Sequence, residues 1–231
     1  MARAVGRVVA ALLLGLSVLA VSAVVASSPP VLAFIRRYPG LPFLQAVMVA
    51  ASLIWMLILG RGGLTAYGFR GVHPKRLLAP ALVGSAAGIV MALAVRVTPA
   101  ADLDVAADLT LFQVIAVIWI SASIAEEVLT RGLVQGFLEP LKGYGLRVFR
   151  LRLSIPVIVG AVFFGLMHLA LLSTGAAAAA VVTIALFAVV LGLVAGYYRE
   201  STGSLWPAIL VHFLFNLWGS AVDWLAGALN A

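Results

Sequence analysis

Residues 111–139 read LFQVIAVIWISASIAEEVLTRGLVQGFLE. No charge appears before Glu126, and after Arg131 the apolar character resumes as far as Leu138. As a helix this stretch would extend about 44 Å at ~1.5 Å per residue. The hydrocarbon core of a bilayer is only ~30 Å thick. The stretch therefore spans a membrane with length to spare, and it must tilt, kink or protrude.

Six further windows of the same kind lie to either side: residues 8–26, 41–60, 77–97, 155–172, 177–198 and 204–226. The connectors between them carry breaker chemistry, namely Ser27-Ser28-Pro29-Pro30, Pro39-Gly40, Gly62-Gly63, Pro99 and Gly143. A transmembrane β-barrel would alternate apolar and polar residues instead of keeping continuous apolar runs. The expected fold is all-α: a polytopic transmembrane bundle of about seven spans. Residues 1–104 supply three N-terminal spans and residues 105–231 a four-span core, best treated together as one integral membrane domain. Arg3 and Arg7 followed by an apolar run and Val21-Ser22-Ala23 also resemble a signal peptide. The run from Val8 to Ala26 exceeds the usual ~7–15 residues of such a segment, so a retained helix is expected.

Composition agrees. Of 231 residues, 64% are hydrophobic and 10% charged, against ~25% charged in an ordinary soluble domain. A soluble enzyme, a disordered chain and a disulfide-stapled module are excluded. The absence of cysteine removes thiol nucleophiles and Cys-ligated metal sites. The formal net charge of +7 would point to nucleic acid if it were clustered on one surface. It is distributed by topology instead. With the N-terminus in the cytoplasm, eleven Lys and Arg residues fall on the inner side and only Arg36, Arg37 and Arg96 outside. Asp102, Asp104, Asp108 and Asp223 fall outside, with Asp223 interfacial. The lipid bilayer is the partner this charge addresses, and nucleic acid is not one.

Ionisable side chains within spans are costly and are functional candidates by default. They collect in three places: Glu126, Glu127 and Arg131; His168; and His212 with Asn216. Glu127 and Arg131 stand at i,i+4 with the acid first, the favourable order for an ion pair. Glu126 lies about 100° around the helix and need not share that partner. A structural clasp between helices is the plain alternative for the three. Phe164 is four residues before His168, on the same face, and is expected to pack against its ring. A rise of ~1.5 Å per residue puts Glu126, His168, His212 and Asn216 within one or two turns of a common depth.

Two chemistries suit this set. A carboxylate beside a neutral imidazole can deprotonate a water, while a second His and a carboxamide stabilise the oxyanion. Alternatively Glu126, His168 and His212 are adequate ligands for a divalent metal such as zinc, with an open water position. No H-E-x-x-H or G-x-S-x-G is present. A non-proteolytic binding or immunity module, or a small transporter, could use the same pocket. A transporter predicts inverted repeats, and no convincing repeat is seen.

Glu126-Glu127-Val128-Leu129-Thr130-Arg131 resembles the E-E-x-x-x-R motif of the CAAX protease and bacteriocin-processing enzyme (CPBP) family. Phe164-Gly165-Leu166-Met167-His168 is similar to its F-x-x-x-H motif, and His212-Phe213-Leu214-Phe215-Asn216 to its H-x-x-x-N motif. The order is the family's, and the resemblance covers about residues 105–220. It implies an intramembrane endopeptidase related to the type 2 CAAX prenyl protease. Glu126 with His168 would activate water, His212 and Asn216 would support the oxyanion, and Glu127 with Arg131 would shape the site. Both a metalloprotease and a metal-independent glutamate mechanism are argued for the family. Thr130 departs from it, since an aromatic residue often precedes the motif arginine. The substrate would be a membrane-associated peptide or protein, prenylated or ending in a CAAX-like sequence. The compact loops look like those of prokaryotic members, which implies an inner-membrane location.

The remaining features are secondary. Gly84-x-x-x-Gly88 and Gly192-x-x-x-Gly196 permit close helix approach within or between chains, leaving the oligomeric state open. His73 is expected on the surface, and Trp206 and Trp224 at the membrane interfaces.

Overall fold

A computed structural model describes residues 2–38, 40–60, 63–98, 109–148 and 151–229. Each apolar window becomes a helix. Helix α1 is Ala2–Ser27, and Ser28 followed by Pro29 at the first helical position starts a short α2, Pro29–Arg37. Helix α3, Phe43–Leu59, ends at Gly60 in the left-handed conformation with φ 59°. After two 3-10 turns, Leu64–Tyr67 and Pro74–Leu77, come α4 (Leu78–Val95) and the long α5 (Leu111–Phe137). Helix α6 is Ile155–Met167, running on into a 3-10 segment His168–Thr174; α7 is Ala178–Thr202 and α8 is Trp206–Leu229.

Among the described residues five segments are long and apolar enough to cross a membrane: Ala2–Ser27, Pro74–Val95, Leu111–Phe137, Ile155–Thr174 and Ala178–Thr202. Phe43–Leu59 and Trp206–Val222 are apolar but shorter, about 26 Å each at the helical rise. Leu13, Leu57, Leu82, Leu186 and Val190 point outward and stay exposed. That pattern suits a bundle solvated by lipid. The inward stripes are narrow and made of small residues: Ala11, Gly15, Val18 and Ser22 on α1, and Pro80, Gly84, Gly88 and Ala92 on α4. The molecule is a multi-pass integral membrane protein built as a helical bundle.

Both glycine pairs are used within the chain. A Cβ at Gly84 would lie 2.9 Å from Val211 Cα, and one at Gly88 would lie 2.9 Å from Phe215 Cα, so α4 and α8 touch backbone to backbone. A Cβ at Gly192 would lie 2.8 Å from Ala161 Cα, which brings α7 equally close to α6.

One element was not foreseen. Between α5 and α6 an antiparallel hairpin forms, β1 (Gly145–Val148) with β2 (Leu151–Ser154), in the register Gly145↔Ser154 to Val148↔Leu151. Its four-residue strands are too short to raise a periodicity signal. Ser154 then caps α6 by accepting from Val157 N–H at 3.3 Å.

The basic connectors gather at one end of the bundle. Arg7 donates to Phe137 O at 3.3 Å, Arg70 to Gly203 O at 2.6 Å and Arg199 to Ala66 O at 3.3 Å, while Ser204 donates to Arg70 O at 2.7 Å. At the same end Glu139 pairs with Lys142 at 2.7 Å and raises its ammonium pKa through that hydrogen bond. Pro39, Arg61, Gly62, Pro99, Asp102, Asp104, Asp108 and Arg150, with the side chains of Asp223 and Trp224, lie outside the described residues.

Helix α5 is the axis of the fold. Thr110 and Gln113 form a capping box at its start. Two π-helical stretches, Val114–Ala122 and Val128–Val134, flank an α-helical segment, Ser123–Glu127. Such widened turns are rare and concentrate at functional sites. Every residue from Glu127 to Gly136 is buried, enclosed by α1, α3, α6 and α7.

Candidate functional site

The three polar groups meet on the inner face of α5. Glu127 and Arg131 form an ion pair at 2.8 Å with both side chains fully buried. The same Glu127 Oε1 accepts from His212 Nδ1 at 2.9 Å, so one oxygen joins α5 to α8. A carboxylate can only accept, which makes Nδ1–H the donor and leaves His212 Nε2 as the free ring nitrogen. That nitrogen faces Glu126 Oε2 at 3.8 Å, outside direct hydrogen-bond range. The Glu126 side chain is 20% exposed, whereas that of Glu127 is 0%. The two adjacent carboxylates thus have separate environments, one committed and one open.

Phe164 organises the rest. The Arg131 guanidinium lies over its ring at 4.6 Å from the centroid, a cation–π contact. The His168 and His212 rings meet it edge-on with centroids at 5.0 and 5.4 Å. His168 sits just past the end of α6, where Nδ1–H donates to Phe164 O at 2.8 Å and turns Nε2 away from its own helix turn. Glu126 and His168 are not brought within ion-pair distance; the imidazole that faces Glu126 is His212.

Asn216, one turn after His212, gives its amide hydrogens to Ile118 O and Ser123 Oγ, each at 3.2 Å. These partners belong to the first π-helical stretch and the start of the segment that carries the glutamates. Asn216 therefore fixes α8 against α5, and its carbonyl oxygen is the part left over.

Three neighbours have contacts at the site that the sequence did not reveal. Gln135 donates to Gly196 O at 3.0 Å from a buried side chain. A Cβ at Gly192 would sit 3.0 Å from Arg131 Nη2, so this glycine makes room for the guanidinium. Ser123 is fully buried and receives Asn216. Gln135 follows Arg131 by four residues inside an apolar run, a signal that could have been used. The other two depend on partners in distant helices.

The donor set does not match a zinc site. Among the described residues no three His, Asp or Glu side chains converge as metal ligands. Glu126 and His212 face one another, Glu127 is taken by Arg131, and His168 stands on another edge of Phe164. An apolar groove of about 430 Å³ lies between α5 and α8, lined by Trp119, Ile120, Ile124, Trp206, Ile209 and Phe213, among others, and by none of the polar site residues.

Residues 108–218 match the family model described as type II CAAX prenyl endopeptidase Rce1-like. No curated protein and no solved structure matches the chain. The matched residues contain Glu126, His168, His212 and Asn216, together with Glu127, Arg131 and Phe164. This segment, just under half of the chain, is similar to the Rce1-like type II CAAX prenyl endopeptidases.

Proposed function

We propose that the protein hydrolyses a peptide bond in a membrane-associated peptide or protein with Glu126 as the general base. The observation that carries this reading is the 3.8 Å approach of Glu126 Oε2 to His212 Nε2, from the more exposed of the two glutamates. Glu126 takes a proton from water as the hydroxyl oxygen bonds to the peptide carbon. His212, oriented by Glu127, and His168, oriented by the Phe164 carbonyl, each hold their neutral-form proton on Nδ1, so it is their imidazolium forms that would give an Nε2–H to the developing oxyanion. The Glu126 carboxylic acid then returns the proton to the leaving amine. Glu127, Arg131 and Phe164 hold the two imidazoles. Asn216 serves through its grip on α5. The residues account for each proton without a metal, and no step is assigned to one.

The groove between α5 and α8 is apolar and large enough for a lipid-like chain or a run of apolar side chains. On this reading it takes the hydrophobic part of the substrate, a prenyl group included. The basic end of the bundle faces the cytoplasm, with α1 beginning there.

The test uses purified protein in proteoliposomes with an internally quenched CAAX-type peptide, farnesylated and unmodified. Glu126→Gln is expected to lower kcat by at least ~100-fold, the usual scale of general-base catalysis. His212→Asn should lower it comparably. Cleavage at the wild-type rate in both variants would sink the reading. Preference for the farnesylated peptide, lost on Phe213→Glu, would assign the prenyl group to the groove.

A further inference from the structure

A chain of hydrogen bonds runs through the site from the Glu126 carbonyl to His212, whose ring faces the Glu126 carboxylate. Thr130 Oγ1 donates to the Glu126 carbonyl oxygen at 2.5 Å and accepts from Arg131 Nη1 at 2.6 Å. The same Nη1 donates to Glu127 Oε1 at 2.8 Å, and that oxygen accepts from His212 Nδ1 at 2.9 Å. His212 Nε2 then faces Glu126 Oε2 at 3.8 Å. Thr130 is fully buried, as are Glu127 and Arg131.

A threonine that bonds the carbonyl four residues back is ordinary in a helix and satisfies its own hydroxyl. Accepting a second bond from a buried guanidinium is a different matter. The hydroxyl becomes the link between the charge pair and the backbone of the neighbouring glutamate. From within the π-helical stretch Val128–Val134 its bond reaches back across the join to Glu126 in the α-helical segment Ser123–Glu127. Widened turns of this kind are frequent at functional sites, and this side-chain bond ties the two stretches together across the join.

We propose that Thr130 is a positioning residue for hydrolysis: by tying the Glu126 carbonyl to Arg131 it sets the rotation of α5 that aims the Glu126 carboxylate at His212. The inference rests on Glu126 and His212 being the reacting groups. A valine at 130 keeps the shape and removes both bonds, whereas serine keeps the hydroxyl.

The experiment compares Thr130→Val and Thr130→Ser with the wild-type chain in proteoliposomes, using the quenched farnesylated CAAX-type peptide as probe. Loss of the linking hydroxyl should lower kcat about tenfold with KM unchanged, and serine should restore it to within about twofold. A second readout needs no turnover: ¹⁵N-histidine NMR of the full chain in micelles, with the His212 signal identified by its loss in His212→Asn. Thr130→Val should shift the His212 Nδ1 resonance and Thr130→Ser should not. A valine variant with wild-type kcat and an unshifted His212 signal overturns the proposal, and the NMR result alone decides it if the probe is not cut. Failure of the site reading looks different: Glu126→Gln and His212→Asn would then retain cleavage.

Discussion

His212 Nδ1 lies 2.9 Å from Glu127 Oε1, closing a separation of 85 residues with one hydrogen bond. This contact turns the Glu127–Arg131 pair on α5 into a three-member cluster that α8 completes. It also separates the two glutamates by task. Glu127 is spent on cohesion, and Glu126, one residue earlier and partly exposed, is on the proposed function the carboxylate kept for chemistry.

That division predicts opposite profiles for the two alanine variants. Removing one partner of a buried ion pair leaves the other charge stranded, at a cost of about 3–5 kcal/mol. Glu127→Ala should therefore lower the thermal midpoint in detergent sharply. Glu126→Ala should leave the midpoint nearly unchanged while abolishing cleavage. Equal midpoints for the two variants would contradict the geometry. Neutralising both charges, as Glu127→Gln with Arg131→Met, should recover much of the stability lost in Glu127→Ala.

Gly192 supplies the second prediction. Its missing side chain accommodates Ala161 of α6 and the Arg131 guanidinium at the same time. A methyl there overpacks two helices and moves a buried charge, so Gly192→Ala should destabilise by about 1–3 kcal/mol and reduce kcat. Gly143→Ala is the control, because nothing lies within 4 Å of the added Cβ. Thermal unfolding and a cleavage assay on the pair separate the steric argument from a general intolerance of glycine replacement.

The helices were legible because their causes are local. Apolar run length, the Ser28-Pro29 break and Gly60 are all written in neighbouring residues. The i,i+4 spacing of Glu127 and Arg131 could be read from the chain as well. What could not be read was rotation. A rise per residue places Glu126, His168 and His212 at similar depths, but the azimuth that turns Glu126 toward His212 depends on π-helical turns and on Asn216 gripping Ile118. The hairpin 145–154 was hidden by its shortness. Against the motif Thr130 is only a departure, and its bond to Arg131 at the next position is visible only in the structure.

The absence of cysteine makes orientation directly measurable. Single cysteines at Lys75 and Arg147 lie in connectors that the proposed orientation puts on the cytoplasmic side, and the same orientation puts one at Arg36 on the opposite side. A membrane-impermeant maleimide added to right-side-out vesicles should label only the Arg36→Cys protein. Labelling of Lys75→Cys or Arg147→Cys in intact vesicles would invert the proposed orientation.

Asn216 offers the sharpest structural test because its two donors go to separate places on α5. The bond to Ser123 Oγ joins two side chains, while the bond to Ile118 O reaches backbone that no substitution of Ile118 removes. Ser123→Ala should thus cost about 1 kcal/mol and Asn216→Ala about 2 kcal/mol, on the usual scale of a buried hydrogen bond. Because the two residues share one contact, the double variant should fall short of the sum by about 0.5–1 kcal/mol. Asn216→Asp should be worse than alanine, since a carboxylate would face the Ile118 carbonyl oxygen with no hydrogen to give. Strict additivity of Ser123→Ala and Asn216→Ala in thermal unfolding would remove the contact from the account, and with it the grip that holds the glutamate-bearing segment of α5 against His212.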